Sequence, residues 1–186
     1  MCIIRERNNV VFIYLYLFEY IYKLLKRFNM ETERPLSTLL PTHVKLSKND
    51  FLKFDDEKNF MSKIPYHCVV YSLMYVMIAI RLDIAFAMGV VSRFSSNFGM
   101  RHCEAIKMIL RYVSGTKNKS LCLVGIDLSI IEYIDFECGG CSNIMKSTLG
   151  YIFQIVGGAI SWRSRLQGCK VVCTTEAKYV AISGGI

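Results

Sequence analysis

At Ser114-Gly115-Thr116 the hydrophobic rhythm of this chain changes, and that switch constrains the fold more than any other feature. Before it, apolar residues recur at helical spacing; after it, they gather in short runs of β-formers. Stretch 66–80 is almost wholly apolar and predicts a helix buried on most sides. Asp83 is placed to cap a second helix to about Ser96, with Ile84, Ala87, Met88 and Val91 on one face. Asn97-Phe98-Gly99 breaks it, and 101–113 gives a third helix with Ala105, Met108, Ile109 and Tyr112 as its stripe. Strands are predicted over 121–124, 130–136, 149–156 and 159–163, with Gly157-Gly158 as a hairpin turn. Thr174 or Thr175 caps a last helix through Ile182. Helical and strand patterns that occupy separate stretches predict an α+β fold.

The first thirty residues read as a unit of their own. Runs 3–7 and 10–15 flank Asn8-Asn9 as two strands of a hairpin. A helix over 18–28 carries Phe18, Ile21, Tyr22, Leu25 and Phe28 as its stripe, and Lys23, Lys26 and Arg27 form a solvated face. The apolar stretch 10–18, preceded by Arg5 and Arg7, is too short for a membrane span and lacks a small-residue cleavage site. A strand followed by a helix is expected there. From 31 to 65 the pattern dissolves around Pro35, Pro41 and Pro65, and 45–58 is charged and polar, as in a linker.

Charge narrows the partners. The 186 residues carry a net charge of +8, which suits a polyanion such as nucleic acid. An apolar fraction of 53% supports a packed core, so the eight cysteines are not needed as disulfide staples. Cys2, Cys68, Cys103 and Cys122 lie among apolar neighbours, as buried thiols do. Cys138, Cys141, Cys169 and Cys173 form two close pairs, but the interval between the pairs is longer than a zinc ribbon allows. His43, His67 and His102 share no site spacing, and Ser161 has no partner for nucleophilic catalysis. Trp162 sits in an apolar run and is expected in the core.

Short segments in fixed order carry a resemblance. Leu24-Leu25-Lys26-Arg27-Phe28-Asn29-Met30 and Pro35-Leu36-Ser37-Thr38 come first. Met61-Ser62-Lys63-Ile64-Pro65-Tyr66, Arg81-Leu82-Asp83-Ile84-Ala85-Phe86-Ala87 and Ile109-Leu110-Arg111-Tyr112-Val113-Ser114-Gly115-Thr116 follow. Glu132-Tyr133-Ile134-Asp135, Lys146-Ser147-Thr148-Leu149-Gly150-Tyr151, Gly157-Gly158-Ala159-Ile160-Ser161-Trp162 and Thr174-Thr175-Glu176-Ala177-Lys178-Tyr179 complete the series. Together they resemble the Pol polyprotein of copia-type LTR retrotransposons, from the end of reverse transcriptase into ribonuclease H. The resemblance implies a thumb-like hairpin and helix over 1–30, a linker over 31–65, a helical connection over 66–118 and a truncated ribonuclease H-like antiparallel sheet with one helix over 119–186.

The implied chemistry is hydrolysis of the RNA strand of an RNA–DNA hybrid, with no small-molecule substrate and an intracellular setting, cytoplasmic or nuclear. Such hydrolysis uses carboxylates that hold divalent metals about 4 Å apart. By resemblance, Asp135 is the first-strand aspartate and Glu176 the first-helix glutamate, both ligands of Mg2+. The family's further aspartates come later than Ile186, so the set is expected to be incomplete and the isolated chain inactive. The paired aspartates of reverse transcriptase are also missing, because Asp55-Asp56 stands in a polar loop. Departures from the family's pattern include Leu82 and Phe98 in place of prolines, Cys103 in place of an aromatic, and Phe136-Glu137-Cys138 after Asp135. Two other readings stand beside this one: a non-catalytic basic module that binds nucleic acid, and a membrane-associated protein anchored by its apolar N-terminal segment.

Overall fold

A computed structural model describes residues 2–7, 11–41, 44, 46–47, 50–51, 59, 61–126, 128–141 and 146–166. For 2–7, 11–12, 136–141 and 146–147 it describes the backbone alone. Both rhythms of the sequence are realised, and the fold is α+β. Strands β1 (Cys2–Arg7) and β2 (Val11–Tyr16) precede helix α1 (Phe18–Arg27). Helices α2 (Tyr66–Ile80), α3 (Ala85–Val91) and α4 (Met100–Gly115) follow. Strands β3 (Leu121–Gly125), β4 (Ile130–Cys141), β5 (Lys146–Ile155) and β6 (Gly158–Leu166) come last. By contact the chain divides into two compact units, Tyr16–Lys119 and Cys2–Leu15 with Ser120–Ile186.

In the helical unit, α2 packs against α3 and α4, and α1 against α4. Glu19 in the first turn of α1 and Lys26-Arg27 in its last turn both oppose the helix dipole favourably. Its buried residues are Ile21, Leu24 and Leu25, whereas Phe18 and Tyr22 are exposed. The expected stripe was therefore turned too far and omitted Leu24. A larger correction concerns α2. Tyr66, Val69, Val70, Leu73, Val76 and Ile80 are buried, but Tyr71 is 69% and Ile78 65% exposed. With neighbours along one side, an all-apolar helix still leaves its far side open.

Asp83 does not cap α3. Leu82–Ile84 is a single 3-10 turn, and α3 begins after it without a side-chain cap. The Asp83 carboxylate instead takes two hydrogen bonds from Arg81, at 2.9 and 2.8 Å, and one from the Tyr112 hydroxyl at 2.9 Å. Arg81 is 2% exposed and also donates to the Thr116 hydroxyl and carbonyl. The face predicted for this segment does hold, since Ile84, Ala87, Met88 and Val91 are all buried.

Parts of the 31–65 stretch are tied to the helices. The Leu36 amide donates to the Arg111 carbonyl, and Arg111 Nε donates to the Arg34 carbonyl. Gly115 lies against Pro35, where a Cβ would come within 2.9 Å of the ring. Asp50 accepts from the Ser47 amide and from Arg101, each at 2.8 Å. Burial pushes its carboxyl up, but Arg101 and Ser47 outweigh that and hold it below the usual range.

The other unit holds two three-stranded sheets, ordered β1-β2-β3 and β4-β5-β6. Strand β2 pairs antiparallel with β3, from Val11 opposite Gly125 to Leu15 opposite Leu121. The β5–β6 turn sits one residue earlier than expected. Val156 and Gly157 both adopt positive φ, 53° and 71°, as a two-residue hairpin turn requires. Gly158 starts β6 and serves a different need: a Cβ there would collide with the Cys122 carbonyl of β3. Cys169, Cys173, Thr174, Thr175 and the last predicted helix lie outside the described residues.

Candidate metal-binding carboxylate on the sheet

Strand β4 presents Asp135 at a position opposite Gly150 of β5, which in turn pairs with Ser164 of β6. Directly paired residues of an antiparallel sheet point to the same face. Asp135 therefore shares its face with a residue that has no side chain. Even an added Cβ at Gly150 would meet only the Arg163 and Asp135 carbonyls, at 3.7 and 3.9 Å. The Asp135 side chain is exposed. An exposed carboxylate beside a bare backbone patch leaves room for a cation and for a phosphate oxygen on the same face.

Its neighbours partition by register. Glu132 pairs with Phe153 and so lies on the opposite face, while Ile131, Tyr133, Ile152 and Trp162 flank Asp135 on its own face. Tyr133 is 54% exposed and Trp162 is half-buried, so this face is open beside Asp135. Glu137 holds the register position opposite Thr148, two residues beyond Asp135. Glu176 lies outside the described residues, as do Asp55 and Asp56. Among the described residues, no three His, Cys, Asp or Glu side chains come together as a metal cluster. Asp135 offers the oxygen donor that magnesium prefers, but one carboxylate falls short of a closed site.

Several other sequence candidates resolve as structural. Cys103 is buried, and burial pushes its thiol up to about 11, far from a reactive thiolate. His102 is fully buried, with its ring 4.3 Å from that of Phe94, and its Nδ1 accepts the Gly99 amide at 3.0 Å. Burial holds this imidazole below its ordinary value, in the neutral form that the amide requires. It thus satisfies an orphan amide at the start of α4. His67 is exposed, and His43 lies outside the described residues. Phe98 stacks on Tyr66 with ring centroids 4.2 Å apart. Sequence reasoning missed the group that Asp83, Tyr112 and Thr116 form around the buried Arg81. The Arg81-x-Asp83 spacing after an apolar helix is the available signal, and it is equally the pattern of a helix cap. No helix among the described residues is long and apolar enough to cross a membrane. The apolar N-terminal run is instead spent on β2, which pairs with β3.

Comparison with known proteins gives relatives but no family model and no solved structure. The chain is 47% identical over 181 residues to the retrovirus-related Pol polyprotein from transposon TNT 1-94 of Nicotiana tabacum, covering 97% of the chain and 14% of that protein. It is 35% identical over 165 residues to the retrovirus-related Pol polyprotein from transposon RE1 of Arabidopsis thaliana, covering 88% of the chain and 11% of that protein. Secreted RxLR effector protein 161 of Plasmopara viticola is 36% identical over 124 residues, which is 66% of the chain and 87% of that protein. The chain thus spans about one seventh of the length of the tobacco polyprotein.

Proposed function

The chain is a relative of the retrovirus-related Pol polyproteins of transposons, matching one stretch of them over nearly its whole length, and from that kinship we propose a nucleic-acid role at the junction of reverse transcriptase and ribonuclease H. In this reading the transposon is of the copia type, and the parent domain hydrolyses the RNA strand of RNA–DNA hybrids inside the cell. Asp135 is the observation that carries it: an exposed aspartate in the first strand of an antiparallel sheet, on a face opened by Gly150. A cleaving site needs carboxylates around divalent metal, which would activate a water and stabilise the leaving oxygen. Asp135 and Glu176 are the residues proposed to bind that metal. Tyr133 and Ile152 border Asp135 on the same open face. The net charge of +8 supports attraction of the phosphate backbone.

Two acids are fewer than a two-metal site uses, so a polypeptide of these 186 residues is proposed to bind hybrid without cutting it. The test incubates the purified chain with a labelled RNA–DNA hybrid and magnesium or manganese. No cleavage is expected. Cleavage abolished by Asp135→Asn would refute inactivity and establish the carboxylate's role; cleavage indifferent to that change would reject Asp135 as the site.

A further inference from the structure

The sheet face turned away from Asp135 is built for a different contact. Register pairs Ile134 with Tyr151 and Tyr151 with Arg163; it pairs Leu149 with Arg165, and Phe153 with Ser161. Tyr151, Phe153, Arg163 and Arg165 therefore share one face, and the Tyr151 and Phe153 rings lie 5.5 Å apart on it. Along β6, Ser161, Arg163 and Arg165 are exposed, whereas Trp162, Ser164 and Leu166 on the Asp135 side are half-buried. The two rings are half-buried, with part of each surface open. Two adjacent aromatic rings with two exposed guanidiniums one strand away make a surface of mixed stacking and positive charge.

We propose that this face is a platform for single-stranded nucleic acid, with bases on Tyr151 and Phe153 and phosphates on Arg163 and Arg165. Neighbouring strands stand about 4.8 Å apart, so a guanidinium reaches the phosphate of a nucleotide whose base lies on the adjacent ring. Ring stacking tolerates any base and needs an unstacked one, which selects single strands over duplex. Glu132 occupies the same face beside Phe153. Its charge repels phosphate, so the phosphates run along the β6 side of the rings, over the exposed Arg163 and Arg165, and not across Leu149, which is buried. The platform rests on the nucleic-acid reading above but uses the face opposite its carboxylate, so product or template strand can be held without blocking Asp135.

Fluorescence anisotropy with labelled oligo(dT) of about 20 nucleotides, and with a DNA duplex of that length, tests this across a salt series. The single strand is expected to bind more tightly than the duplex. Tyr151→Leu, which keeps apolar bulk, should weaken single-strand binding about tenfold. Arg163→Ala with Arg165→Ala should lower the slope of log affinity against log salt by about 1.4, two phosphate contacts at about 0.7 each. Lys23→Ala with Lys26→Ala, on the exposed side of α1, should change neither. Thermal melts establish that each variant is folded; if Tyr151→Leu is not, the exposed arginine pair carries the test. If the wild type binds but the lysine pair costs more than the arginine pair, the platform is wrong while nucleic-acid binding stands. Equal affinity for duplex also overturns it. No binding by the wild type at low salt removes both.

Discussion

Arg81 is the residue whose environment is least forgiving. Its guanidinium is buried, and Asp83, Thr116 and the Tyr112 ring surround it. Removing one partner of such a pair strands a charge out of water, which costs more than the pair itself contributes. Because the Asp83 side chain is still 30% exposed, solvent offsets part of that loss. Asp83→Asn is expected to destabilise the chain by about 2 kcal/mol, read from urea unfolding. Burial raises the Asp83 carboxyl, and Arg81 with Tyr112 more than reverses this, so its folded value lies below the ordinary one. The contribution is then complete above about pH 4 and is lost as pH falls through the folded value. Wild type should lose stability in that window, and Asp83→Asn should lose less. An identical acid limb in both would show that Asp83 does not couple to folding. None of this was legible as a cluster in the sequence, because Arg81 and Thr116 are brought together only by the turn between α2 and α3 and the end of α4. The strand that carries Asp135 was legible, because the β-formers of Ile130 to Phe136 are a local signal; the role proposed for its carboxylate rests on the resemblance alone.

Elements were easier to read than their orientation. The helical segment 84–91 showed its buried face correctly, since Ile84, Ala87, Met88 and Val91 recur at helical spacing and all four are buried, while Phe86 between them is 51% exposed. Helix α2 gave no such guide: with apolar residues all round, its sequence does not say which side is covered. The hairpin turn shows a second limit. Two consecutive glycines mark a tight spot, but only packing tells which of them the turn uses. Gly157 takes the positive φ, and Gly158 makes room for the Cys122 carbonyl. Gly158→Ala should therefore push β3 off the β5–β6 hairpin and destabilise the unit by roughly 1–3 kcal/mol, as overpacking does. Equilibrium unfolding measures it, and a loss within error of zero would mean that the strand yields freely. Position 157 tolerates L side chains poorly for a separate, conformational reason.

At the scale of the molecule, chain order and spatial grouping part company. Residues 2–15 belong with 120–186, and the helices between them form their own unit. Composition could not show this, because a strand's partner is not written in its own sequence. Strand β2 lies between β1 and β3, so both its edges are paired. Ile13→Pro removes a donor and breaks one ladder or the other. Hydrogen exchange read by mass spectrometry should then show lost protection in Leu121–Gly125, against the buried part of α2 as an internal reference. Unchanged protection there would mean that β3 is not held by β2.

The β2–β3 pairing also sets a timetable for birth on the ribosome. Val11 and its neighbours emerge before their partners around Leu123, which are more than a hundred residues downstream. At about 5–20 residues per second, the first hairpin waits roughly 5–20 s with an unpaired apolar edge. The helices Tyr66–Ile80 to Met100–Gly115 can meanwhile settle through contacts close in sequence. Between the synthesis of β2 and that of β3 this edge is therefore open to wrong partners, and a chaperone that shields emerging strands would act on Val11–Tyr16.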